Sequence, residues 1–206
     1  MIVLEQDPSK DRHNHESGVS IGPSVVHLLD KYDATGRPSS IPSTYLSAAW
    51  HKRLRVVNTK WHHNMSNWGC LYLVLRANFD GLKSEMVPNP PGPRSGDGIA
   101  DYRPGKRVVD LVYDKKAQQV HVHFVDVRTG EKDKVSSGLV IAADGVHSTV
   151  RQLLGVPVRQ QYAGYIGWRG TVPERLLEPS TIEYFYNRLN FSILKGMYFI
   201  RYVRTL

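Results

Sequence analysis

The sequence has little cysteine, no long apolar run and no internal repeat. A single cysteine, Cys70, among 206 residues leaves no partner for an internal disulfide, so the fold does not depend on an oxidising compartment and a cytosolic setting is expected. No apolar stretch approaches the ~20 residues of a membrane span, and Met1-Ile-Val-Leu-Glu5 meets charge too soon for a signal peptide. Ser, His and Asp are all present, but no G-x-S-x-G elbow accompanies them, so hydrolase chemistry has no anchor.

What is present is a basic chain of ordinary hydrophobicity. Lys and Arg total 27 against 19 Asp and Glu, a formal +8 that favours anionic partners such as phosphates or dinucleotides. The densest basic run is His51-Lys-Arg-Leu-Arg55 with Lys60 beyond it, and the other cations are scattered among acids rather than forming a stripe interleaved with aromatics. That distribution argues against nucleic-acid binding. Length and a 41% hydrophobic content allow one core, or one domain with part of a second.

Ile2-Val-Leu4 reads as a buried strand with nothing ahead of it to pair with, so the chain is expected to open in mid-element. A polar loop over residues 6–17 leads through Gly18 and Val19-Ser-Ile21 to a helix over residues 24–32, with Val25, Val26, Leu28 and Leu29 as its apolar face. Residues 33–60 carry loop and irregular β signals. Trp68, Leu71, Tyr72, Leu75, Phe79 and Leu82 recur at helical spacing behind Ser66, which is expected to cap that helix. After the Pro/Gly-rich loop at residues 87–98, residues 106–113 and 118–127 are expected to form an antiparallel pair, since Val120, Val122 and Phe124 alternate with Gln119, His121 and His123. A short apolar strand over residues 138–143 then ends at Asp144-Gly145, and Ser148 opens a helix through Leu154. From Tyr162 the texture becomes aromatic and β-like, with strands expected over residues 165–172, 182–186, 191–194 and 197–203, and a boundary is placed near residues 157–161.

A strand that ends in Asp-Gly and turns into a helix can set a carboxylate beside a bound polyol, while the glycine allows a tight turn. Asp-Gly by itself is a common turn. Here the full segment, Leu139-Val-Ile-Ala-Ala-Asp-Gly-Val-His-Ser-Thr-Val-Arg151, resembles the Asp-Gly motif of the FAD-dependent aromatic-ring monooxygenases. In that family the motif lies beside the FAD pyrophosphate and ribose and also affects NAD(P)H binding. The resemblance extends over most of the chain. Val3-Leu-Glu5 is similar to the second strand of a dinucleotide fold, whose terminal acid hydrogen-bonds the adenosine ribose, and Gly18-Val-Ser-Ile-Gly-Pro23 is similar to the glycine-rich segment after it. Leu75-Arg-Ala-Asn-Phe-Asp-Gly81 resembles the helix whose arginine faces the flavin. Tyr162-Ala-Gly-Tyr-Ile-Gly-Trp-Arg-Gly170 and Tyr184-Phe-Tyr-Asn-Arg-Leu-Asn-Phe191 resemble the substrate domain of the 2,6-dihydroxypyridine hydroxylase branch, where aromatic side chains suit a flat ring, although such residues also pack sheets in general.

The resemblance implies an α/β (α+β) fold: an incomplete dinucleotide-binding FAD domain over residues 1–160 and the start of a β-rich substrate domain over residues 161–206. It implies Glu5, Arg76, Asp144 and Gly145 as FAD contacts, with Arg151 supporting the motif and no residue assigned as a catalytic base. Its cofactors would be FAD and, as reductant, NAD(P)H. Its partners would be a small aromatic or N-heteroaromatic substrate and molecular oxygen, with neither nucleic acid nor membrane. Two family segments have no counterpart: the first G-x-G-x-x-G turn, and a later Gly-Asp motif, for which Gly96-Asp97-Gly98 in the Pro/Gly loop does not stand in. The chain is therefore expected to be a fragment or a degenerate relative, and a non-catalytic nucleotide- or partner-binding remnant stays open beside the enzyme. His121-Val-His123 offers half a metal site with no third ligand at a suitable spacing, and a solvated strand face accounts for it better; His62-His63 and His13-x-His15 carry no stronger signal.

Overall fold

A computed structural model of the chain describes residues 1–9, 17–50, 53–55, 60–168, 170, 172–185, 188–194 and 197–201. In chain order the elements are β1 (Ile2–Glu5), β2 (Gly18–Ile21), α1 (Pro23–Tyr32), β3 (Ile41–Trp50), β4 (Arg53–Arg55), β5 (Lys60–Asn67) and α2 (Trp68–Asp80). Then come β6 (Asp101–Pro104), β7 (Lys106–Asp114), β8 (Gln119–Asp126), β9 (Lys132–Ser137), α3 (Thr149–Leu153), α4 (Pro179–Phe185), β10 (Arg188–Leu194) and β11 (Met197–Arg201). This is the mixed α/β content expected. They group into two compact units, Met1–Lys10 with Arg94–Gly167, and Asp11–Pro93 with Trp168–Leu206.

In the first unit β1 lies parallel to β6, with Ile2 opposite Asp101 and Glu5 opposite Pro104. Gly105, at φ 74°, then turns the chain into β7. Its N–H donates to the Asp7 carbonyl at 3.1 Å and its carbonyl accepts from Val127 at 2.8 Å, so the loop after β1 is tied to both ends of a hairpin. β7, β8 and β9 form an antiparallel meander, the first pair matching the alternation of the sequence. Val122 and Phe124 are buried on one face of β8, whereas His121 on the other has its Nδ1 2.7 Å from the Ser136 hydroxyl. Among the described residues no cluster of His, Cys, Asp and Glu could hold a metal ion.

The strand expected over residues 138–143 is not formed. The segment pairs with no described strand, and Leu139 and Ile141 are 74% and 79% exposed. Apolar content favours a strand only where a neighbour satisfies its backbone groups, and in this unit the nearest polar closure is local: the Ser137 hydroxyl donates to the Leu139 carbonyl at 2.8 Å.

The second unit is built on a sheet of order β11-β10-β3-β5-β2, with β4 beside β3. β3 is thus a long strand where the sequence suggested irregular structure. α1 starts at Pro23, a residue pre-set for the first helical turn. α2 forms as its periodicity requires, but its cap is Asn67, whose Oδ1 accepts the Cys70 N–H at 2.7 Å. Ser66 still belongs to β5 and sends its hydroxyl to the Ser39 carbonyl instead. Gly81, at φ 70° in the left-handed region, ends the helix. The buried stripe of α2 is Cys70, Val74 and Ala77 against Val87, not the Leu71–Leu75 stripe, and Leu75 is half exposed. This segment is apolar on most sides, so small residues that allow close approach decide which face packs.

The β-like aromatic segment at residues 182–186 is helical through Phe185, because Pro179-Ser-Thr supplies a helix start that outweighs the β preference of Ile182 and Tyr184. Residues 165–168 form no strand either, and Trp168 is 92% exposed. β10 and β11 pair antiparallel as the last two expected strands. Arg169, Thr171, Tyr186, Tyr202 and Val203, His13 and His15, residues 10–16 of the expected polar loop, and His51 and Lys52 of the basic run lie outside the described residues.

Candidate functional site

The Asp144-Gly145 turn is built by its own backbone. Gly145 takes φ 77°, a left-handed value that costs an L side chain about 1–2 kcal/mol, and a Cβ there would have no atom within 4 Å. The turn closes through the Ser148 N–H on the Gly145 carbonyl at 3.2 Å and opens directly into α3. There the buried Ser148 caps the helix, its hydroxyl accepting the Arg151 N–H at 3.0 Å. The Val150 N–H donates to Asp144 Oδ2, also at 3.0 Å, so the carboxylate meets the same orphan donors that every helix start must satisfy. The Arg151 guanidinium folds back to donate to the Val146 carbonyl.

Partial burial by itself would push the Asp144 carboxyl up. Hydrogen bonds from the Ser148 hydroxyl and from the backbone of Val150, Asp144 and Thr149 outweigh it and hold the group below the usual carboxylate range. At neutral pH it is an ionised acceptor on an exposed turn. Such a group attracts hydroxyl donors and repels phosphate, which suits a sugar or polyol rather than a phosphate group.

Glu5 closes β1, and its Oε1 accepts the Asp7 N–H at 2.9 Å, while Asp7 accepts from both the N–H and the hydroxyl of Ser9. A carboxylate at the end of a parallel strand is where a dinucleotide fold presents its ribose acceptor. The structure thus gathers Asp144, Gly145 and Arg151 into one turn and sets Glu5 at a strand end of the same unit.

Arg76 lies in the second unit, on α2, with 8% of its surface exposed. Its Nε donates to Asp80 Oδ1 at 3.0 Å and its Nη2 to Oδ2 at 2.8 Å, a two-point pair along one helix face. Its Nη1 donates to the Tyr72 hydroxyl, with the guanidinium carbon 5.5 Å from the Tyr72 ring centre. The family resemblance singled out Arg76 but not these two partners. The signal was available, since Tyr72 and Asp80 stand four residues to either side of it.

Residues 94–193 match the model of a family described as FAD binding domain. The chain is 29% identical over 176 residues to 6-hydroxynicotinate 3-monooxygenase of Pseudomonas fluorescens, a match covering 83% of this chain and 41% of that protein. It is 26% identical over 192 residues to 2,6-dihydroxypyridine 3-monooxygenase of Paenarthrobacter nicotinovorans, covering 90% of this chain and 41% of that one. Among solved structures, a ternary complex of aklavinone-11 hydroxylase with FAD and aklavinone aligns at a TM-score of 0.49 and 14% identity, over 75% of this chain and 30% of the other. No helix among the described residues is long and apolar enough to cross a membrane. The chain spans about two fifths of the length of the curated relatives it matches.

Proposed function

We propose that the chain is a member of the FAD-dependent aromatic-ring monooxygenases and supplies part of the FAD site of an enzyme that hydroxylates an aromatic or N-heteroaromatic ring, a reading supported by the FAD binding domain match and the two pyridine-type relatives. When bound, FAD supplies the redox chemistry, with NAD(P)H as reductant and molecular oxygen as oxidant. The chain's own residues bind and orient. The ionised Asp144 carboxylate, held by Ser148 and the Val150 N–H on an exposed turn, carries this reading, because it presents a fixed acceptor to a cofactor hydroxyl. Gly145 leaves open space where a side chain would stand, Glu5 offers a second acceptor for a ribose, and Arg76 a cation for the flavin. Arg151 holds the turn through the Val146 carbonyl. Residues 1–160 serve the cofactor and residues 161–206 the ring substrate in this proposal. Support for a heteroaromatic substrate is the likeness to two relatives named for hydroxylated pyridine-type compounds.

The test is FAD titration of the purified chain, followed by flavin fluorescence and absorption. Binding near one equivalent, weakened in Gly145→Ala by more than its loss of thermal stability accounts for, is the expected result. A colourless chain that leaves FAD fluorescence unchanged would sink FAD binding by these residues and leave the non-catalytic, partner-binding remnant.

A further inference from the structure

We propose that Ser136 is a nucleophile activated by His121 and a site of covalent acylation by small activated esters, an inference independent of the FAD reading. The register of the meander sets the pair side by side. His121 on β8 stands directly opposite Ser136 on β9, with its Nδ1 2.7 Å from the Ser136 hydroxyl oxygen. A serine hydroxyl is a weak nucleophile until a base at hydrogen-bond distance takes its proton, and an imidazole nitrogen is such a base only when the other nitrogen carries the ring proton.

Asp114 decides which nitrogen that is. Its Oδ2 lies 3.8 Å from His121 Nε2, too long for a hydrogen bond but close enough for its charge to favour a proton there. The carboxylate is itself aimed, because Oδ1 accepts the Lys116 and Ala117 N–H groups at 2.8 and 3.1 Å in the turn after β7. Those two bonds, the Ala117 one foremost, hold the carboxyl below the usual carboxylate range, so it is ionised at neutral pH. Nδ1 is then left to accept the Ser136 O–H.

Neighbouring side chains lack this arrangement. The Ser137 hydroxyl donates to the Leu139 carbonyl at 2.8 Å and accepts the Leu139 N–H at 3.3 Å, and His123, two residues along β8, stands opposite Lys134. Ser136 is exposed on β9, the outer strand of the order β7-β8-β9, so an acyl donor reaches it from solvent. In the step Ser136 Oγ bonds to the acyl carbon as the bond from that carbon to the leaving aryloxide breaks, and the hydroxyl proton passes to His121 Nδ1 and on to solvent. The sequence carries no nucleophile elbow, and the inference is a single acyl transfer to the chain rather than turnover.

The experiment treats the full 206-residue chain with p-nitrophenyl acetate at neutral pH and follows acetylation of each serine by peptide mass spectrometry. Ser136 is expected to be labelled at least about tenfold faster than Ser95, an exposed serine of the Pro/Gly loop. His121→Gln should bring Ser136 to within about twofold of Ser95, His123→Gln should leave its labelling unchanged, and Asp114→Asn should lower it only where His121 is present. Equal labelling of Ser136 and Ser95 in the unsubstituted chain, a comparison that needs no variant to fold, overturns the proposal. Labelling of Ser136 that persists undiminished in a folded His121→Gln chain overturns it as well.

Discussion

The Ser148 hydroxyl accepts the Arg151 N–H at 3.0 Å, and the same side chain hydrogen-bonds the Asp144 carboxylate. One small buried group thus caps α3 and holds the charge on the turn that precedes it. Ser148→Ala should therefore do two separable things. Loss of the cap should cost about 1 kcal/mol of stability in denaturant titration, and the Asp144 carboxyl should rise from its lowered range when followed by carbon-13 NMR. Ser148→Thr, which restores the hydroxyl, should recover most of both. A Ser148→Ala chain with unchanged stability and titration would show that the backbone donors alone hold the turn.

Asp126 makes the clearest acid-sensitive contact. Its Oδ2 accepts from Lys106 and its Oδ1 from the Arg128 and Thr129 N–H groups. The Lys106 bond, followed by the Arg128 N–H, lowers its pKa from 3.8 to about 2. The folded pKa lies below the unfolded one, so the contribution is complete above pH 3.8, declines as pH falls, and is gone below about pH 2. Asp126→Asn should flatten that part of the stability profile in urea titrations between about pH 4 and about pH 2. Identical acid slopes in the two proteins would rule the assignment out.

Leu139 and Ile141 are largely exposed on a segment paired with no described strand. Replacing both with lysine should change stability by no more than about 0.5 kcal/mol, as for other surface positions. It should also lower the binding of a hydrophobic dye and any concentration-dependent association seen by light scattering. A marked loss of stability in the double variant would mean that these side chains are covered in solution.

Legibility in the sequence followed the range of the forces involved. The β7–β8 alternation and the existence of α2 were readable because a periodic pattern within one segment decides them. The cap of α2 fell one residue later than expected because the Ser66 hydroxyl is committed to the Ser39 carbonyl, and the buried face turned toward Cys70, Val74 and Ala77 because tertiary packing chose that face. Residues 138–143 have strand composition but pair with no described strand, and composition does not report partners. Within the candidate site, the Asp144-Gly145 turn and Arg76 were visible as motif positions, whereas Tyr72 and Asp80 became meaningful only once the guanidinium had a direction.

The parallel pairing of β1 with β6 has a consequence for how the molecule assembles. The Asp101 N–H reaches the Met1 carbonyl at 3.0 Å across about a hundred residues of sequence, so β1 waits for a strand made much later. On a ribosome adding roughly 5–20 residues each second, that strand spends several seconds without its partner. Its closure must then overcome the entropy of a long intervening loop, a cost that grows only as the logarithm of length. Residues 17–93, in which β5 pairs with the nearby β2 and β3, are emerging in that interval, and Ile2-Val-Leu4 is the stretch a chaperone would find bare.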